Sequence, residues 1–591
     1  MRSERRWTRI WIVALLHTLA GLAFLNPGYI RPDSVGVYAY LRSLVIDGDL
    51  LFLNEWAGFG MITSGAPFFK EITELGTLAN HWWVGTSLLS SPFYLVAHLL
   101  SFPLRNDQDG FSSLYALTLS WTTVGFSVVI SLICEDLLSH LTSISGKARW
   151  TLIAALWLGT PLFWYEFRFP LGSHLAGALC VAVLCRALLE DSTLPGDHTA
   201  AAIGLALGLA SATRIQHVVL GGAILIYALR LRRPMRFHLL VAAGTIPGLA
   251  VQGAAWWVIY GTPLGPLVSG ANSGGSTWMP FHTIAIWPVL VSSYHGLLSW
   301  SPIAGLSILG LLTALFWRKE RIGGDQRGAA GATHALHEEA YQGRNREAVV
   351  LALGAMLAFE WIANGVGDRY FWGGMSFGAR RFVDAAVPLA VGLGFFRQHF
   401  NKLFTTVTIS LCVLWSLSLT ASALAGKLEL ALDLTPGQLL RAGFNPDLQG
   451  LYEALSRPVT DTPLSFLFMT AFLIVAAVLG LLALLVRNLV WATRLASALC
   501  LGAVMVIMIA FSPTRARARQ DLQRFRIDRR LAARFGPLTD QRGLLQKEVI
   551  YYENRGQRNR AQSTLAEIEV IDRLLRELRH SSPPKTKQQS R

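Results

Sequence analysis

The sequence predicts an all-α polytopic membrane protein, and three observations predict it. Apolar segments of about 20 residues, enough to cross a bilayer as helix, recur from the N-terminus to Phe511. Over 591 residues, 52% are hydrophobic and only 15% charged. In hydrocarbon every backbone polar group must pair internally, so such a chain resolves into a helical bundle.

The first element, 10–26, follows the basic stretch Arg2-Ser3-Glu4-Arg5-Arg6 and stops at Asn26-Pro27-Gly28. No small-x-small cleavage site closes it, so an uncleaved span is expected rather than a signal peptide. A first loop of mixed polarity, 27–112, carries Asp33, Asp47, Asp49, Glu55, Lys70, Glu71 and Glu74. Within and after it come apolar segments at 82–103, 113–134, 149–166, 173–189, 198–213, 216–232, 237–260 and 300–317. The series ends with 348–366, 382–397, 402–424, 464–486 and 489–511.

Short loops rich in Lys and Arg mark the cytoplasm. Here they are the N-terminus, Lys147-Ala148-Arg149, Arg230 to Arg236, Arg318-Lys319-Glu320-Arg321, and Arg397 to Lys402. Two cytoplasmic points need an even number of crossings between them, yet three apolar segments precede Lys147. Segment 82–103, which carries Pro92 and Pro103, is therefore expected to lie in the interface as part of a large periplasmic first loop. About 13 transmembrane helices remain, and they place every basic short loop inside. The same count puts the C-terminal tail outside, against the charge rule, because Arg515, Arg517 and Arg519 follow the last span.

The chain is thus expected to divide into a transmembrane catalytic domain, 1–511, and a basic, helical tail, 512–591. The tail holds 19 Lys/Arg against 9 Asp/Glu, ten of the fifteen net positive charges. It suits anionic headgroups, and no nucleic-acid partner is expected, since nothing ties it to a binding fold. Helical charge patterning over 515–535 and 561–580 reads as a solvated appendage, and 322–346 as a cytoplasmic linker. The cysteines at 134, 180, 185, 412 and 500 all lie in apolar segments and read as small buried hydrophobes. They form neither a disulfide framework nor a metal spacing.

Several cations fall on the outer face. Arg168 precedes Ser173-His174, Arg214 lies in the tight turn Thr213 to His217, and Arg380 and Arg381 close the loop from Gly367. Ionisable groups at membrane depth are costly and mark either a site or a structural pair. One alone reads as a snorkelling or paired arginine. Four on the side of Asp33 suit an anionic phosphate and a hydroxyl that must lose a proton, since the guanidinium fork matches phosphate oxygens. His174 and His217 lie close enough in sequence to donate as well; for these, and for His81 and His295, a structural hydrogen bond is the competing reading. No zincin spacing, Gly-x-Ser-x-Gly or phosphate-cradling glycine loop occurs, which disfavours a nucleotide-driven pump.

Taken in order, Asp33 with Tyr38 and Tyr40, Asp47-Gly48-Asp49-Leu50, Asn54-Glu55-Trp56, and Asn80-His81 with Ser91-Pro92-Phe93 carry a resemblance. Ser173-His174, Thr213-Arg214, His295 to Trp300 and Ser376 to Phe382 continue it. Over roughly 10–400 the chain resembles the GT-C superfamily of integral-membrane glycosyltransferases. The match is to members related to protein mannosyltransferases and the lipid A aminoarabinose transferase, which use polyprenyl-phosphate-linked sugars. Each motif is loose, and their order makes the case.

The resemblance implies that Asp33 serves as general base or as a partner of a divalent metal. It implies a second acid among Asp47, Asp49 and Glu55, although Ser34 stands where an adjacent acid would complete a pair. Arg168, His174, Arg214, His217, Arg380 and Arg381 would hold the lipid phosphate. The implied reaction moves a hexosyl or pentosyl group, with inversion, from a polyprenyl-phosphate donor to a lipid, glycan or protein acceptor. Its setting would be the outer face of a bacterial inner membrane. Two other classes compete. A flippase of lipid-linked saccharides would place polar groups near the midplane in repeated halves. A glycan ligase would carry its large loop late, as 425–463 does, but with an arginine cluster that this loop lacks.

Overall fold

The structure is a computed structural model that describes residues 2–25, 32–59, 61, 69, 71–104, 107–267, 284–316, 333–366, 374, 376–428, 430, 434–449, 492–511 and 513–514, with isolated positions at 542, 562, 565, 568, 569 and 572. The expected span 464–486, the linker up to 332, Asp368 and Arg369, and nearly all of the tail lie outside them. Among the described residues the chain is all-α, with one isolated β-bridge between Ile72 and Leu78.

Helix α1 (Arg2–Phe24) leads into the first loop, which holds α2 (Pro32–Arg42), α3 (Leu53–Gly58) and α4 (Gly85–Ser101). Then come α5 (Ser113–Leu141), α6 (Gly146–Gly159), α7 (Leu162–Phe167), α8 (Ser173–Thr193), α9 (Asp197–Thr213), α10 (Leu220–Leu231) and α11 (Met235–Tyr260). Two single turns, α12 (Pro288–Val291) and α13 (Leu297–Trp300), precede α14 (Ile303–Phe316), α15 (Thr333–Val366), α16 (Ala386–His399), α17 (Lys402–Leu424) and α18 (Pro436–Phe444). The last described helix is α19 (Ala492–Phe511).

Six helices are long and apolar enough to cross a membrane: α5, α8, α11, the Gly343–Val366 part of α15, α17 and α19. Shorter apolar helices cover Ile10–Phe24, Ile215–Leu231 and Ile303–Phe316. The figure of about 13 crossings rests on the charge pattern alone. The expected segment 149–166 breaks in two. Pro161 forces Thr160 into an extended conformation (φ −133°, ψ 172°), and the helix restarts after it.

Helix α9 packs along α11 with almost no side chain between them. A Cβ at Gly204 or Gly208 would run into the carbonyls of Val241 or Thr245. This is small-residue packing of the kind membrane helices use when no hydrophobic drive holds them together. Around the rim the apolar surface faces outward. On α17, Leu403, Val407, Leu411 and Leu414 recur at helical spacing and are all exposed, while Thr405, Ile409, Cys412 and Ser416 are buried. All five cysteines are buried and unbridged, as expected of small core residues.

Polar contacts sort the loops into two ends. At one end Arg149 pairs with Glu135, Arg233 with Asp191 and Arg230 with Glu347, and Arg346 donates to the Leu141 carbonyl. These are the basic loops that the charge pattern assigns to the cytoplasm. The first loop gathers at the other end, its aromatic core built from Tyr40, Phe52, Trp56, Phe69 and Trp82. Helix α19 buries Cys500 and Ile507 against that core. Just beyond it the Leu50 amide donates to Thr514 Oγ1 at 3.0 Å. Thr514, just past the end of α19, therefore lies beside the first loop.

Candidate functional site

Pro32 at the first position of α2, where its missing N–H costs nothing, and Asp33 in the first turn are both favoured by the helix start. From there Asp33 Oδ2 accepts from Arg380 NH1 at 2.9 Å, across 347 positions of chain. Arg380 begins a 3-10 turn, Arg380–Ala385, entered through Gly378 at φ +59°. The Asp33 side chain keeps 43% of its surface accessible and Arg380 20%, so the pair is bound yet open to another partner.

The turn after α7 supports the same spot. Ser34 Oγ donates to the Pro170 carbonyl at 3.2 Å, and Arg168 NH1 to the Phe24 carbonyl at the end of α1 at 3.3 Å. Phe377 rests its amide on Tyr165 Oη at 3.1 Å and stacks on Trp164 at 4.6 Å. Tyr165 in turn lies 4.5 Å from the His174 ring.

His174 opens α8 and is buried. Its Nδ1 lies 3.4 Å from Arg214 NH1, and its ring lies within reach of the Arg380 and Arg381 charges and of the Arg380 backbone. A guanidinium can only donate, so Nδ1 accepts and the proton of the neutral ring sits on Nε2.

Beneath this lies a buried ionic quartet. Arg214 pairs with Asp384, whose Oδ2 is also 3.0 Å from His217 Nε2. Glu360 Oε1 stands 3.7 Å from the same nitrogen, and Gln216 Nε2 donates to Glu360 Oε2 at 3.2 Å. His217 Nδ1 donates to the Ala210 carbonyl at 2.8 Å. Both ring nitrogens of His217 thus face acceptors. Buried charges persist only when matched in this way. Gly177 on α8 makes the room, since a Cβ there would sit 2.7 Å from Asp384 Oδ1 and 2.9 Å from His217 Cε1.

The structure thus brings Asp33, His174, Arg214, His217, Arg380 and Arg381 into one neighbourhood, with Arg168 at the end of α1 beside it. Asp47, Asp49 and Glu55 are engaged elsewhere. Arg42, nine residues beyond Asp33 and so roughly 13 Å further along α2, holds Asp47 at 2.6 Å and Glu55 at 2.8 Å. Asp49 accepts from Ser43 Oγ at 3.0 Å and from the Leu51 amide at 3.1 Å. Burial pushes the Glu55 carboxyl up to about 8, although the Arg42 guanidinium pulls the other way.

Sequence reasoning passed over Asp384, Glu360 and Glu166. The first two sit inside apolar runs, where a lone acid is itself a signal. Glu166 is fully buried between His17 Nδ1 at 2.7 Å and Trp157 Nε1 at 2.6 Å. No set of three His, Cys, Asp or Glu side chains suited to a metal occurs among the described residues. Among the described residues the side chain shown against Asp33 is the Arg380 guanidinium, which cannot ligate a divalent ion.

No family model matches the chain, and no curated protein matches it. Among solved structures the chain is similar to the crystal structure of ArnT from Cupriavidus metallidurans bound to undecaprenyl phosphate. That likeness has 12% identity and a TM-score of 0.41, and covers 87% of this chain and 77% of the other.

Proposed function

We propose that the protein is an integral-membrane glycosyltransferase of GT-C type, moving a sugar from a polyprenyl-phosphate donor to an acceptor hydroxyl. The reaction would take place at the outer face of a bacterial inner membrane. One observation carries this reading: the accessible Asp33 carboxylate is held by Arg380, directly beside Arg381, Arg214 and the His174 ring.

The acceptor oxygen attacks the anomeric carbon while Asp33 takes its proton. The bond between that carbon and the phosphate oxygen breaks, and its electron pair leaves with the polyprenyl phosphate. Arg380 and Arg381, with Arg168 nearby, stabilise the charge that develops on the phosphate through donors already in place. Arg214, fixed from below by Asp384, orients His174 so that its Nε2–H points away from the guanidinium. A single displacement inverts the anomeric centre. The exposed apolar helix faces give the lipid tail a place to lie.

The test uses the full-length protein in lipid nanodiscs with labelled polyprenyl-phosphate sugars. Asp33→Asn should lower turnover by about 10²–10⁴-fold, the usual worth of a positioned base. Full turnover by that variant would remove Asp33 from the mechanism. Translocation of the labelled lipid with no covalent product would replace the transferase reading with a flippase.

A further inference from the structure

His295 lies in the turn between α12 and α13, buried to 3% exposure. Its backbone is in the left-handed region at φ +64°, where few non-glycine residues sit and where the cost is on the order of 1–3 kcal/mol. Hydrogen bonds on both sides enforce that conformation. The Tyr294 amide donates to Ser292 Oγ at 3.0 Å and the Gly296 amide to the Ser292 carbonyl at 2.9 Å. Ser293 Oγ donates to the Leu434 carbonyl at 2.5 Å, and Trp300 Nε1 to the Ser293 carbonyl at 2.9 Å.

The ring is clasped between Tyr294 at 4.7 Å and Trp300 at 4.9 Å. Neither nitrogen makes a hydrogen bond of normal geometry to the described residues, though the Leu430 backbone lies close to the ring. Trp300 also meets Phe377, three residues before Arg380, edge to face at 5.2 Å, which sets this turn against the loop that carries Arg380; burial foremost, with the Arg380 charge, pulls the imidazole down to about 4. At neutral pH the ring therefore offers one N–H donor and one lone pair.

A buried polar side chain with no hydrogen bond of normal geometry, in a strained and enforced conformation, asks for a ligand. We propose that His295 donates a hydrogen bond to the phosphate of the lipid-linked donor, beside Arg380, as a further binding residue of the site. This rests on the transferase reading of that site. A neutral N–H next to a guanidinium adds direction to charge: Arg380 draws the anion in and His295 fixes one of its oxygens.

Equilibrium binding to the full chain in detergent, with polyprenyl phosphate, uncharged polyprenol and inorganic phosphate as probes, tests this. Wild type should bind polyprenyl phosphate more tightly than either control. His295→Phe keeps a ring without the donor and should weaken polyprenyl-phosphate binding about tenfold or more, as for a hydrogen bond to a charged group, while leaving polyprenol binding unchanged. His295→Asn tolerates φ > 0 and retains a donor, so it should bind within a few-fold of wild type and covers the case in which the Phe variant fails to fold. An unchanged affinity in His295→Phe, an equal loss for polyprenol, a failed rescue by folded His295→Asn, or inorganic phosphate bound as tightly as the lipid overturns the proposal. Arg380→Ala separates the two readings. If it weakens lipid-phosphate binding while His295→Phe does not, only the His295 assignment falls; if neither does, the phosphate site itself is wrong.

Discussion

The ion pair between Asp33 and Arg380 joins residues 347 positions apart, and both keep access to a further partner. Asp384 acts one step back, holding Arg214 and His217. Asp384→Asn should strand a buried guanidinium, a loss of about 3–5 kcal/mol for breaking such a pair. A lowered melting temperature together with a raised KM for the lipid donor checks it; an unchanged KM would make Asp384 purely structural. Glu55 makes a prediction about pH. Its folded pKa, about 8, lies above its unfolded value near 4.5, so the stability linked to its proton is complete below about 4.5 and lost as pH rises through 8. Wild type should melt several degrees lower at pH 8.5 than at pH 5, and Glu55→Gln should lose that part of the difference. Asp33, Arg214, Arg380 and Arg381 were legible in the sequence because a charge at membrane depth is conspicuous. Asp384 and Glu360 are equally conspicuous, but two acids give no direction until the fold sets Arg214 and His217 beside them.

At the scale of elements, the long apolar helices follow directly from the apolar segments, with α5, α8, α11, α17 and α19 each starting or ending within a few residues of expectation except where α5 runs on to Leu141. Composition sets these, because a segment that must satisfy its own backbone in lipid has only one solution. The first loop was less legible: α2 and α3 are short and their apolar residues pack on aromatic partners far along the chain. The α9–α11 contact depends on absent side chains. Gly208→Val should push its side chain into the Thr245 carbonyl and destabilise the protein by about 1–3 kcal/mol, the usual cost of overpacking. Thermal unfolding in detergent measures this, and a neutral outcome would mean that the helices can separate freely.

For the whole molecule, the polar contacts gather the basic loops after α5, α8, α10 and the start of α15 at one end. Ser113 and Ser143 are exposed at opposite ends of α5, and the native cysteines are all buried. In a cysteine-accessibility experiment on intact cells, Ser113→Cys should react with a membrane-impermeant maleimide and Ser143→Cys should not. The reverse pattern would invert the topology and move the site to the cytoplasm. The sequence by itself determined the helical class and the positions of the long apolar helices, because hydropathy is a local quantity that a bilayer reads directly. Only the tertiary structure decided which acid meets which arginine, that Asp47, Asp49 and Glu55 belong to the Arg42 clamp, and that His295 is strained beside Arg380. Those pairings depend on distances between helices far apart in the chain, and local composition carries no record of them.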